Sequence, residues 1–276
     1  MIKKNKIKPF LRWAGGKRWL TKNIIDYLPS EFNNYHEPFI GGGSIFLHLK
    51  SNKIIKNRSF ISDYNNELVN TYNQIAQNPK ELTLELLKLK NNKEDYYKIR
   101  SSKPISEIKK ASRFLYLNKS SFNGLYRVNR KGEYNVPFGN RNLKDFYTIE
   151  NIKNVSKLLK DNVSISSNDF YDCLENISKG DLVFLDPPYT VAHENNGFVQ
   201  YNQKIFMWED QERLKRLLIE IKRRGAYFIL TNAKHESIKE LFSDVGNRIK
   251  VQRHSTIGGI GASREQINEY IFTNIY

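Results

Sequence analysis

Apolar and polar positions along this chain follow two rhythms. Short apolar or β-rich runs at YHEPF (35–39), SFISD (59–63), VSIS (163–166), DLVFLD (181–186), AYFILT (226–231), IKVQRH (249–254) and NEYIFTNIY (268–276) predict strands. Between most of them lie stretches of helical spacing, including Asn65 to Ala76 and Glu209 to Arg224. Strands alternating with helices predict an α/β protein with a mainly parallel sheet and helices on both faces. The block from Pro79 to Ile152 breaks this order. It carries the helical patterns ELTLELLKLKN and SEIKKASRFLYLNKSSF, then LYRVNRKGEYNVPFG, where two alternating runs flank Lys131-Gly132 as a hairpin turn. The expected organisation is therefore a catalytic α/β domain at 1–78 and 153–276, interrupted by a mostly helical subdomain at 79–152 with one hairpin.

The most informative run is DLVFLDPPYT. Val183, Phe184 and Leu185 have the continuous apolar character of a strand buried on both faces. Proline cannot donate to a ladder, so Pro187 and Pro188 end that strand and leave Asp186 at its carboxyl end, where open α/β sheets place their ligands. Three other features fall at strand ends. The glycine cluster EPFIGGGSIF (37–46) follows one predicted strand and opens a helix, a place suited to close backbone approach and to a negative group. It lacks the G-x-G-x-x-G spacing of a dinucleotide loop. Asp63, about twenty residues on, is placed either to bind two ribose hydroxyls or to cap the helix that follows. Asp169 closes a third strand and could equally cap FYDCLENI. A cleft holding all of these together with DPPY suits an adenosine-containing cofactor.

Charge and composition narrow the partner. With 45 Lys and Arg against 29 Asp and Glu, the chain of 276 residues carries +16, which favours a polyanion. Lys, Asn and Ile are abundant throughout, as codon bias in an AT-rich genome produces, so charge alone does not decide the matter. The single Cys173 excludes an internal disulfide and a cysteine metal cluster and fits a reducing cytoplasmic setting. No apolar run approaches the ~20 residues of a membrane span, and MIKKNKIKPF lacks the apolar core of a signal peptide. His36, His48, His193, His235 and His254 are scattered, and none is assigned as a metal ligand.

The segments FLRWAGGK, EPFIGGGS, ISDYN, NGLYRVNRKGEYNVPFG, LDPPY and ILTNA occur in the order found in Dam-type DNA adenine methyltransferases, and the chain resembles that family from about Phe10 to its C-terminus. The resemblance implies a Rossmann-like, mainly parallel, seven-stranded methyltransferase sheet with the inserted block reading DNA. It implies methyl transfer from S-adenosylmethionine to the exocyclic 6-amino group of a flipped adenine in duplex DNA, with no metal. Asp186 and Pro187 would engage the amino group, and Tyr189 would stack on the base. Trp13 and Lys17 would hold the methionine part of the cofactor, and the loop Phe39, Gly41 and Gly43 would pass beneath it. Asp63 would hold the ribose, and Asp169, with Phe170 packing nearby, the cofactor's adenine. Asp186 also borders the cofactor.

For DNA, the resemblance implies guanine contacts from Arg127 and Arg12 and apolar contacts from Leu125 and Pro137 to a thymine methyl. Phe122 or Asn123 would wedge into the base stack, and Asn135 belongs to the same DNA-binding set. Together these favour GATC, whereas a solvated phosphate-binding hairpin is the plainer reading of Arg127, Arg130 and Lys131. GNRNLKDF departs from the family's Gly-Arg-Tyr ending, so contacts past Gly139 are not carried over. A monomer suffices for the chemistry, and a cognate restriction endonuclease is a functional partner to consider. The competing expectations are methylation of RNA or of a protein glutamine, and an inactive DNA-binding module.

Overall fold

A computed structural model describes residues 7–140, 149–191, 206–254 and 266–275. All seven expected strands form: β1 (Tyr35–Glu37), β2 (Ser59–Asp63), β3 (Val163–Ser167), β4 (Leu182–Leu185), β5 (Tyr227–Ala233), β6 (Asn247–His254) and β7 (Gln266–Thr273). They make one sheet in the order β3-β2-β1-β4-β5-β7-β6. β4 runs parallel to β1 and β5, whereas β7 lies antiparallel to both β5 and β6. This is the mainly parallel α/β sheet that the alternation predicts, with a closing antiparallel pair. His193, residues 141–146 of GNRNLKDF and Tyr276 lie outside the described residues.

The chain divides into two compact units, one of residues 1–21, 40–56 and 61–168, the other of 22–39, 57–60 and 169–276. The first contains α1 (Ser44–Ser51), α2 (Asn66–Gln77), α3 (Pro79–Leu87), α4 (Lys93–Ser101), α5 (Glu107–Ser120) and α6 (Ile149–Lys160). Side chains of Asn65, Asn92 and Ser106 accept amide hydrogens at the starts of α2, α4 and α5, fixing where each helix begins. Tyr96, Tyr116, Leu117, Tyr134 and Val136 form a small core beneath the segment read from sequence as a hairpin.

That segment turns back on itself as a short hairpin. It reverses with Gly132 at φ +75°; across the turn Asn135 N donates to the Arg127 carbonyl at 3.0 Å and Asn129 N to the Glu133 carbonyl at 2.8 Å, with antiparallel bridges at Val128–Tyr134 and Ser121–Phe138. Side chains hold further backbone groups of the segment. Asn129 Oδ1 accepts from the amides of Lys131 and Glu133, at 2.9 and 3.0 Å, and the Val136 carbonyl accepts from the Tyr96 hydroxyl at 2.8 Å and from Arg100 at 3.2 Å.

The second unit contains α7 (Trp208–Arg223) and α8 (Glu236–Leu241). Leu214, Leu217, Leu218 and Ile221 of α7 follow helical spacing and are buried in one core with Val183 and Leu185 of β4 and Phe228 and Leu230 of β5. All four residues of β4 are buried, as its unbroken apolar run requires.

Asp181 anchors the start of β4. Its Oδ1 accepts from the backbone and side-chain nitrogens of Asn34, at 2.9 and 3.1 Å, and its Oδ2 from Ser178 N at 2.9 Å and His36 Nε2 at 3.0 Å. Burial works to raise its pKa, but the His36, Ser178 and Asn34 hydrogen bonds prevail and lower it. The stabilisation is therefore present above the unfolded-state pKa and is lost as pH falls through the folded one. Asp181→Ala is expected to cost about 3–5 kcal/mol in urea unfolding, because it strands buried donors; a loss below about 1 kcal/mol would show that the cluster does not anchor the strand.

Candidate active site

In the first unit, a loop precedes α1 and wraps the indole of Trp13. Gly41 adopts φ +46°, and a Cβ there would stand 2.7 Å from Trp13 Cδ1, so only glycine lets backbone and ring approach this closely. Tyr72 of α2 donates its hydroxyl to the Gly41 carbonyl at 3.0 Å, and Gly43, at φ +64°, opens α1. Asp63, at the end of β2, holds the same loop: its Oδ2 accepts from Gly41 N at 3.1 Å and its Oδ1 from Asn65 N at 3.0 Å. Burial raises the Asp63 pKa, opposed by the amides of Asn65, Gly41 and Tyr64. The capping alternative for Asp63 does not hold, because Asn65 accepts from Leu68 N and caps α2 itself. A carboxylate has about four lone-pair sites, so the three amides leave one for a ribose hydroxyl. Lys17 is buried, with Nζ donating to the Gly15 carbonyl at 2.9 Å.

The same unit carries the target-reading candidates. Asn118 holds the Arg12 backbone from both sides, accepting from its amide at 2.8 Å and donating to its carbonyl at 2.7 Å. The Arg12 side chain lies against Gly124, where a Cβ would meet its Cδ at 2.5 Å. Phe122 is 53% exposed and Asn123 has φ 55°, so the tip projects a ring. Arg127 is exposed and donates Nε to Asn135 Oδ1 at 2.8 Å. That bond restrains the guanidinium beside Asn135. Leu125 is half-buried against the small core, and Pro137 is exposed with its carbonyl accepting from Phe122 N at 2.9 Å.

In the second unit, Asp186 follows β4 directly. Thr231 of β5 donates its hydroxyl to Asp186 Oδ1 at 2.7 Å. Pro187 is buried, and Tyr189 donates its hydroxyl to Glu269 Oε2 at 2.7 Å. Burial, then the Asp186 and Glu269 charges, push the Tyr189 pKa well up, so its hydroxyl stays a donor. Asp169 Oδ1 accepts from Tyr171 N at 2.9 Å and from Arg213 at 2.7 Å, so it does act as a helix cap. Among the described residues no donor is found on its Oδ2. Phe170 is packed by two neighbours: Phe39 stacks on it at 5.2 Å between centroids, and the Arg213 guanidinium lies 4.8 Å from its ring centre.

Several of these partners escape a sequence reading. Thr231 lies inside ILTNA with no distinguishing spacing. Glu269 is 1% exposed, and its only signal is an acidic residue inside an apolar run. Lys119 adjoins Arg12, and burial, then the Arg12 charge, lower its pKa. Among the described residues no group of three or more His, Cys, Asp or Glu could hold a metal, and no helix is long and apolar enough to cross a membrane.

A mainly parallel α/β sheet whose central strand is followed by a carboxylate and two prolines has the layout of open α/β folds that bind ligands at strand ends. The chain belongs to the D12 class N6 adenine-specific DNA methyltransferases, whose family model matches residues 13–257. It is 37% identical over 286 residues to the Type II methyltransferase M1.LlaDCHI of Lactococcus lactis subsp. cremoris, covering 99% of this chain and 98% of that one. To the Type II methyltransferase M.MjaIII of Methanocaldococcus jannaschii it is 37% identical, covering 82% and 84%. The DNA adenine methylase of Escherichia coli strain K12 is 28% identical, with 98% and 95% covered. The protein is thus an adenine-specific DNA methyltransferase.

Thr231→Val keeps the shape of the side chain and removes the donor to Asp186. A hydrogen bond to a charged group is worth about 1.5–3 kcal/mol, so the turnover rate is expected to fall roughly tenfold to a hundredfold. Steady-state kinetics on adenine-containing duplex DNA checks this; an unchanged rate would remove Thr231 from the account.

Proposed function

We propose that the protein transfers the methyl group of S-adenosylmethionine to the 6-amino group of an adenine flipped out of duplex DNA, within the sequence GATC. The observation that carries this reading is the Asp186 carboxylate, held by Thr231 at the end of a fully buried strand and followed by the rigid Pro187.

The cofactor supplies an electrophilic methyl group on a sulfonium sulfur. The chain's residues fit such a ligand: the Gly41 backbone packs directly on Trp13 as a wall for the cofactor, and Asp63 retains a lone-pair site for a ribose hydroxyl. Trp13, Lys17, Phe39, Gly41 and Gly43 are assigned to the methionine side of this ligand. Asp63 is assigned to the ribose, and Asp169, through its Oδ2 beside Phe170, to the adenine amino group.

The target nitrogen is a poor nucleophile because its lone pair is delocalised into the base. Asp186 and the Pro187 carbonyl accept its two hydrogens, which favours a pyramidal nitrogen with the lone pair available. Tyr189 offers a face to the flipped base, its hydroxyl end tied to Glu269.

On DNA, Asn135 restrains Arg127 Nε, leaving the terminal nitrogens of the fork for O6 and N7 of guanine. Leu125 and Pro137 supply apolar contact to a thymine methyl, and Phe122 or Asn123 wedges into the stack where the adenine leaves. Arg12 and Lys119 bring paired positive charge, Arg12 towards a guanine. Relatives named Type II methyltransferases support a place beside a restriction endonuclease; a monomer suffices for the chemistry.

The test is transfer of labelled methyl from S-adenosylmethionine to two duplexes that differ only in carrying GATC or a scrambled tetranucleotide, with the product base identified after hydrolysis. Label as N6-methyladenine on the GATC duplex alone is expected, and equal labelling of both would reject the specificity. Arg127→Ala is expected to relax discrimination at one base pair by about 1–3 kcal/mol; an unaltered preference would dismiss its base-reading role.

A further inference from the structure

Tyr126 stands between Leu125 and Arg127 in the target-reading segment, yet its side chain faces the cofactor loop. Its ring stacks on the Trp13 indole, 5.4 Å between centroids and 25° apart, and also meets Phe114 at 5.4 Å and Tyr134 at 5.8 Å. Its hydroxyl donates to Glu67 Oε2 at 3.1 Å, and Glu67 is paired with Arg113 at 3.6 Å.

These contacts close a circuit. Trp13 touches Gly41, Gly41 N donates to Asp63, and Asp63 accepts from Asn65 N. Asn65 caps α2, whose first turn contains Glu67, and Glu67 accepts from Tyr126. One residue of the recognition segment therefore grips the cofactor cradle twice, through an aromatic face and through a hydrogen bond. A cleft of about 630 Å³, lined in part by Glu67, Arg113, Tyr134 and Asn135, lies beside the contact. Arg127 cannot change its pose on DNA by moving its backbone without carrying its neighbour's ring, and with it the wall of the cradle.

We propose that Tyr126 is a positioning residue that couples target reading to cofactor binding, so that duplex DNA and cofactor tighten each other's binding. The proposal rests on the methyl-transfer reading above. A ring that merely filled space would affect both affinities separately and leave their ratio alone. A coupling ring changes the ratio, and linkage requires the change to be reciprocal.

The experiment measures the dissociation constant of S-adenosylhomocysteine for the wild-type chain, Tyr126→Phe and Tyr126→Ala, each with and without a saturating GATC duplex. Coupling in proteins spans about 5- to 150-fold, so the duplex is expected to tighten wild-type binding at least about fivefold. In Tyr126→Ala the two constants should agree within about twofold. Tyr126→Phe, which keeps the stack and loses the Glu67 bond, should fall between. A wild-type ratio near one, or a wild-type ratio retained by Tyr126→Ala, would overturn the coupling while leaving methyl transfer intact. If circular dichroism shows the alanine variant unfolded, the phenylalanine variant decides, and a full wild-type ratio there overturns the proposal. A wild-type chain that binds neither S-adenosylhomocysteine nor the duplex would overturn the methyl-transfer reading and this inference with it.

Discussion

Leu182 to Leu185 fill a short strand with parallel neighbours on both sides, and polar groups close it at each end. At its start, the Asp181 carboxylate gathers donors from Asn34, His36 and Ser178. At its finish, Pro187 and Pro188 cannot extend the ladder. A slip by one residue would trade a buried apolar side chain for a carboxylate at one end or the other, so the register is specified strongly. Asp186 therefore has one place to stand. Thr231 and the Tyr189–Glu269 pair are arranged around that place, and the catalytic proposal depends on it.

The segment proposed to read the target is a short hairpin on a small aromatic core. Asn135 N donates to the Arg127 carbonyl and Asn129 N to the Glu133 carbonyl across its turn, and the Asn129, Tyr96 and Arg100 side chains hold further backbone groups. Asn135 and Asn118 add definition, the first by restraining Arg127 and the second by pinning the backbone of Arg12.

Much of the fold was legible because a strand buried on both faces and an amphipathic helix leave strong periodic marks. All seven strands appear within a few residues of the expected runs, including β3, whose exposed residues give it little apolar signal and whose place at the sheet edge explains why. The hairpin's supports were less legible. Alternation at 125–138 reflects the burial of Tyr134 and Val136, but the Asn129, Tyr96 and Arg100 side chains that also hold its backbone are ordinary residues in sequence. The site followed the same division. Asp186, Asp63 and the glycine loop are marked by prolines, strand ends and spacing, whereas Thr231, Glu269 and Arg213 come from other strands and helices and matter through proximity alone.

The central claim is that the Asp186 carboxylate acts on the amino group during transfer rather than holding the fold or the ligands. Single-turnover methyl transfer by Asp186→Ala, at saturating S-adenosylmethionine and duplex, tests it most directly when read beside the two dissociation constants. The account predicts a rate reduced by about 10²–10⁴, the scale of a positioned proton acceptor, with both affinities within roughly tenfold of wild type. Transfer at the wild-type rate would contradict it, as would a loss confined to binding.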